Sequence, residues 1–480
     1  MAERQRQQSS TVRAGGLRGP RASQPRLQSP GSEPGYESRP SIDQRVRRMV
    51  GRALKRRAQA ALRWGLGRVG AALRDWREPL PPLRAGDPGI RRILVVRVDL
   101  LGDVVLSTPA VRALRRAYPR AQIDMLVQAP FDGILADDPD IHRALVWNPH
   151  VWRNPRNWAR WSAWRAALAM LRRMRRPRYD LAVSVSGDIG SIVTRLSGAR
   201  RRVGYAGEAY GDFMTDPIPG ARYLAHQHET RYVLGLAAAA GGVVAPGDEI
   251  PRLSVAPAER ARMRARLKQA RESLRATGPL IALHAGARNG QAKRWPARHW
   301  ASLARLLADQ LGAVVILTGA PNEAPLAGDV ERMAGRPLLN LCGQTSLAEL
   351  KALLAECDLV ISGDSGPMHI ACALRRPVIA LHGPTDPAIS GPTTPDAIVL
   401  RLGLWCSPCY DASATAECRF GNPACMKELA PGMVFAAARR RLAELGLVAA
   451  ESARTPPIPL PTRAASQPSG QERAAHERTD

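Results

Sequence analysis

Apolar residues in this chain gather in short unbroken runs, and each run is followed by apolar residues at helical spacing. Ile93-Leu-Val-Val96 shows no alternation, which predicts a strand buried on both faces. A short loop ending in Gly102-Asp103 follows, and then Val104, Leu106, Val111 and Leu114 recur at helical intervals. Further strands are expected near Ile123–Val127 and Leu181–Val185, and the alternation continues to about Ala240. The second half repeats it, with strands over 280–283, 314–317, 359–362 and 378–381 and helices over 297–311, 323–334 and 367–374. Ser346-Leu-Ala-Glu349 reads as a capping box for a helix ending near Cys357. The class is therefore α/β, with two Rossmann-like doubly wound domains. The expected division is a basic arm (1–43), a basic amphipathic helix and linker (44–88), a first domain (89–245), a connection (246–279), a second domain (280–447) and a tail (448–480).

Three strand–loop–helix junctions carry candidate chemistry, because ligands of open α/β sheets bind outside the carboxyl ends of strands. Asp103, beside Gly102, stands where a general base would; the alternative is that it only caps the helix. The loop Gly363-Asp-Ser-Gly366 precedes Pro367, expected at the first helical position. The N–H groups of Ser365, Gly366 and Met368 would then form an anion site at a helix start; the alternative is an ordinary turn. Between these two, Lys293-Arg294 follows a small-residue loop and suits a diphosphate, or is simply a solvated charge pair. The one GxGxxG string, Gly65 to Gly70, follows no apolar strand run, and no P-loop pattern occurs, which argues against a dehydrogenase or an ATPase.

Together, Gly-Asp-Val (102–104), Lys-Arg-Trp-Pro (293–296), Gly-Asp-Ser-Gly-Pro-Met-His (363–369) and His-Gly-Pro-Thr-Asp (382–386) resemble the motifs of the family-nine glycosyltransferases, the ADP-heptose–lipopolysaccharide heptosyltransferases. The resemblance covers roughly residues 90 to 447. It implies a GT-B fold with a central cleft, inverting transfer, no catalytic metal and no cofactor. It also implies Asp103 as catalytic base, Lys293 as diphosphate contact, Asp364 as sugar contact, and Ser365, Gly366, Met368 and His369 as phosphate cradle. Arg294 accompanies Lys293, and Thr318 and Glu323 lie where the family places the nucleoside. Glu323 would accept from a ribose hydroxyl, or only favour a helix start. The implied partners are ADP-heptose or a similar nucleotide sugar and the inner core of lipopolysaccharide, with no nucleic acid. The alternatives are another nucleotide sugar, or a basic scaffold on membrane or nucleic acid that lost turnover.

Charge adds to this. The chain holds 70 Lys and Arg against 42 Asp and Glu, a net +28, so anionic partners are expected. Within 44–77 arginines crowd an amphipathic pattern with Trp64 and Trp76, which suits an anionic membrane surface. No run approaches a membrane span and the start shows no signal peptide, so the expected place is the cytoplasm, peripheral at the inner face of the plasma membrane. A second Trp- and Arg-rich stretch, Trp147 to Arg178, falls inside the first domain, where the resemblance implies acceptor binding, and core packing is expected for Trp158 and Leu168. Cys342, Cys357 and Cys372 read as core residues. Cys406, Cys409, Cys418 and Cys425 are spaced either for loop packing or for a structural zinc.

Overall fold

The computed structural model describes residues 81–208, 210–222, 226–287, 290–409 and 417–449. The arm 1–43, the amphipathic helix with Trp64 and Trp76, and the tail beyond 449 lie outside them.

Two six-stranded parallel sheets form the frame. The first contains β1 (Arg92–Arg97), β2 (Gln122–Val127), β3 (Arg143–Val146), β4 (Leu181–Ser184), β5 (Arg201–Tyr205) and β6 (Asp216–Ile218), in the order β3-β2-β1-β4-β5-β6. The second contains β7 (Leu280–His284), β8 (Val314–Thr318), β9 (Leu339–Asn340), β10 (Leu359–Gly363), β11 (Val378–Leu381) and β12 (Ile398–Leu400), in the order β12-β11-β10-β7-β8-β9. Read from its other edge, the second order repeats the first. Both are the doubly wound order, which reverses between β1 and β4 and between β7 and β10 and opens a crevice at each reversal. Val96 pairs Ser184 at one switch point and His284 pairs Ser362 at the other.

Helices cover both faces, which is why the strand runs are apolar without alternation. Ile93 and Val95 face α1 (Leu101–Leu106) and α2 (Thr108–Ala117), while Leu94 and Val96 face α3 (Trp161–Arg175) and α4 (Gly187–Leu196). After β6 come α5 (Glu229–Ala239) and α6 (Pro257–Ser273). In the second half α7 (Ala297–Leu311) and α8 (Ala324–Ala334) cover one face, and α9 (Leu347–Glu356) and α10 (Gly366–Ala373) the other. The capping box expected at Ser346 is present: Glu349 N donates to Ser346 Oγ at 3.2 Å, and Ser346 N to Glu349 Oε2 at 2.8 Å.

The halves share structure. One apolar cluster takes in Ile93 and Val95 from the first sheet and Ala282 and Val360 from the second. Buried Lys351 on α9 donates to the carbonyls of Ala136 at 2.6 Å and Ile134 at 3.3 Å, across the division. The expected connection is not a free linker either. Its helix, α6, lies on α9, with Arg264 Nε donating to Glu356 Oε2 at 2.7 Å. Residues 81–88, expected in the leader's linker, pack as well: Leu83 joins the core and Gly86 N donates to Ala117 O at 3.0 Å.

One expectation is overturned. Trp158 and Leu168 were expected in the core, but they are 61% and 45% exposed. α3 buries Met170 and Met174, so the helix lies rotated with its tryptophans outward.

Candidate active site

At the first switch point β1 ends in Arg97, a buried cation closing an apolar strand. An isolated charge there would be prohibitive, so it is paired. Arg97 Nη2 donates to Glu229 Oε1 at 2.7 Å and lies 3.1 Å from Asp103 Oδ1. Arg222 completes the group, with Nη2 3.0 Å from Asp103 Oδ1, Nη1 3.2 Å from Asp99 Oδ2 and Nε 3.1 Å from Glu229 Oε2. Three carboxylates thus surround two guanidinium groups. Burial pushes Asp103 up, but Arg97, then Arg222 and the Leu100 N–H, outweigh it and hold the carboxyl below its ordinary value. Burial wins at Asp99, whose carboxyl is raised despite Arg222 and Arg97. Asp103 is therefore the more readily ionised of the two. It does not cap α1 in the sense expected. Leu100 is the N-cap residue and Asp103 is in the first turn, its Oδ2 accepting from Leu100 N at 3.1 Å.

At the second switch point Lys293 Nζ donates to Asp364 Oδ2 at 2.9 Å. Burial opposes ionisation of Asp364, yet Lys293, His382 and His369 bring it down to about 2. Burial takes His369 down to about 4, so this ring is neutral at pH 7. His369 Nδ1 and His382 Nε2 are buried without a hydrogen-bond partner among the described residues. Such atoms mark where a polar group of a ligand or a water belongs. Arg294, next to Lys293 in the chain, is exposed. Two details differ from expectation. α10 starts at Gly366, so Pro367 is its second residue. Met368 N donates to Ser365 O at 3.1 Å, so this N–H is spent within the turn.

Beside β7 lies the third group. Thr318 ends β8 in register with His284, whose Nδ1 bonds Thr318 O at 3.1 Å. The Glu323 carboxylate lies directly over Gly286 and accepts from Ala320 N at 2.8 Å, so Glu323 precedes α8 as its N-cap residue instead of opening it.

The two switch points touch. A Cβ on Gly102 would stand 2.7 Å from His369 Cδ2, and one on Gly366 would stand 2.8 Å from Leu101 Cδ2. Only residues without a side chain let α1 and α10 approach this closely. Asp103 is thereby brought near His369, whose Nε2 lies 4.0 Å from Asp364 Oδ1. Arg97, Asp99, Arg222, Glu229 and His284 were missed in the sequence, and His382 was read only as part of its motif. A charge ending an apolar strand (Arg97) and an acid opening an apolar helix (Glu229) were the available signals. Arg222 offered none, because only the fold brings it to Asp103.

All seven cysteines are free, with Cys342, Cys357 and Cys372 buried as expected. Among the described residues no group of three or more His, Cys, Asp or Glu is arranged to hold a metal.

Comparison with known proteins agrees with this geometry. The model of glycosyltransferase family 9 (heptosyltransferase) matches residues 167–419, more than half of the chain. Lipooligosaccharide heptosyltransferase 2 of Haemophilus ducreyi is 30% identical over 342 residues, covering 65% of this chain and 88% of that protein. Lipopolysaccharide heptosyltransferase 2 of Escherichia coli is 30% identical over 333 residues, with the same shares covered. The solved structure of E. coli ADP-heptose lipopolysaccharide heptosyltransferase II superposes with a TM-score of 0.57 at 25% identity, over 74% of this chain and 99% of that one. This chain is therefore a glycosyltransferase of GT-B fold and belongs to glycosyltransferase family 9, the heptosyltransferase family.

Proposed function

We propose that the enzyme moves heptose from ADP-heptose to the inner core of lipopolysaccharide by a single inverting displacement, with Asp103 as general base. The observation that carries this is the meeting of the two switch points: an ionised carboxylate on one half lies near His369 of the Lys293–Asp364–His369 group on the other. Asp103 takes the proton of an acceptor hydroxyl as that oxygen bonds to the anomeric carbon. The bond from that carbon to the diphosphate oxygen breaks, and ADP leaves with the electron pair. Lys293 and the N–H groups of Ser365 and Gly366 meet the charge on the diphosphate. Asp364 and the unpartnered His369 and His382 nitrogens suit sugar hydroxyls. Thr318 and Glu323 are suited to the nucleoside, with Glu323 accepting from the ribose.

No helix among the described residues is long and apolar enough to cross a membrane. A cytoplasmic enzyme, peripheral at the inner membrane through its basic leader, fits a lipid-linked acceptor. The test is ADP release from ADP-heptose with and without a heptose-deficient lipopolysaccharide. Asp103→Asn keeps the acceptor oxygen for Leu100 N but cannot take a proton. It should lose about 10²–10⁴ in turnover and still bind ADP-heptose. Near-normal turnover would reduce Asp103 to a helix-start carboxylate. Release from a different nucleotide sugar alone would replace the donor.

A further inference from the structure

The segment joining β3 to β4 presents a surface that takes no part in the steps proposed for the reaction. Between Trp147 and Arg178 it holds nine arginines and no aspartate or glutamate. Because Met170 and Met174 face the sheet, Trp161, Trp164 and Leu168, three and seven residues along one helix face, point away from it. They are 75%, 51% and 45% exposed. Three of the tryptophans hold one another in a tilted cluster. Trp158 Nε1 donates to Trp152 O at 2.9 Å, Trp164 Nε1 donates to Trp158 O at 2.8 Å, and the rings of Trp152 and Trp164 are 4.7 Å apart. With these N–H groups spent on backbone, Trp158 and Trp164 offer ring carbon outward. Arg165, Arg172, Arg173 and Arg176 are exposed on the same helix and its end. A contiguous apolar patch rimmed by one sign of charge marks an interaction surface.

We propose that α3, with Trp158, docks on an anionic lipid bilayer, its apolar stripe entering the boundary between headgroups and acyl chains and its arginines meeting lipid phosphates. Two observations favour a bilayer. The charge is wholly positive, and the stripe includes aliphatic Leu168, which a membrane covers and a stacked base does not. The position fits as well. His150, at the start of the same segment, bonds through Nε2 to Val98 O at 2.8 Å. That carbonyl belongs to the loop that carries Asp99 and leads into α1 with Asp103, so the surface is tied to the rim of the cleft. An acceptor held in a bilayer would be delivered there. This purpose rests on the proposed acceptor; the binding itself does not.

The test uses the full-length protein, so the leader is present in every arm. Partitioning onto phosphatidylcholine vesicles is compared with partitioning onto vesicles containing phosphatidylglycerol, at low and high salt. The Trp161→Ser/Trp164→Ser/Leu168→Ser variant should lose about tenfold in partitioning onto the anionic vesicles and stay folded, its melting temperature lowered only by the loss of the Trp164 contacts to Trp152 and Trp158. Arg172→Gln/Arg173→Gln should weaken the preference for phosphatidylglycerol and its salt dependence. Unchanged partitioning by both folded variants would overturn the proposal and leave the leader as the membrane contact. Loss of binding to single-stranded RNA but not to vesicles would overturn it in favour of nucleic acid. A failure of the wild-type protein to release ADP would count against the proposed reaction and leave the vesicle result standing.

Discussion

Asp103 stands under opposing demands. A base needs affinity for a proton, yet Arg97 and Arg222 hold this carboxyl below its ordinary value. Both cations pair with Glu229, but Arg97 ends the buried strand β1, whereas Arg222 reaches in from the segment before α5. Arg222→Gln removes one cation, so the Asp103 value rises. The acid limb of the kcat/KM profile should then move to higher pH, with the rate at high pH less affected. An unmoved acid limb would mean that another group sets it. Asp364 gives a second test. Its folded value of about 2 lies below the 3.8 of an unperturbed carboxyl, so the ionised form stabilises the fold. That contribution, on the order of 2 kcal/mol, is present above the unfolded value and is lost as pH falls toward 2. Lys293→Ala should raise the Asp364 value and move acid unfolding to higher pH. It should also weaken ADP binding by roughly 1.5–3 kcal/mol, as calorimetry would show. Unchanged values of both would leave Lys293 a surface charge.

Among elements, α1 and α10 matter most, because their close approach joins the two sites. Gly102→Ala places a methyl against the buried His369 ring, which must move. Overpacking of this kind costs about 1–3 kcal/mol. The expected result is a lower melting temperature together with a larger fall in kcat than a surface Gly→Ala change on α8, at Gly328, would cause; equal effects would show that the contact is incidental. The elements themselves were largely legible. Unbroken apolar runs fix strands covered on both faces, and helical spacing fixes the covering helices. α7 occupies the expected residues, and Ser346 caps α9 as its motif required. The misreading of α3 has a physical cause. A stripe of Trp and Leu has the same period whether it faces a core or a lipid, and periodicity carries no sign.

At the scale of the whole molecule, the chain builds one topology twice and joins the copies through a shared apolar cluster, the Lys351 contact and the glycine contacts. Sequence alone determined the alternation of strand and helix, hence two parallel sheets, because burial on both faces dictates composition locally. It also marked Asp103, Lys293 and Asp364, since each sits in a short motif at a strand end. Only the tertiary structure decided their surroundings. Arg222 is 119 residues from Asp103 along the chain. Nothing local requires a cation there, and the site's electrostatics come from long-range contacts. The same holds for the tie between the halves and for the outward tryptophans. Pairing, burial and the direction a helix faces are set by what packs on the other side, and the local pattern does not carry that information.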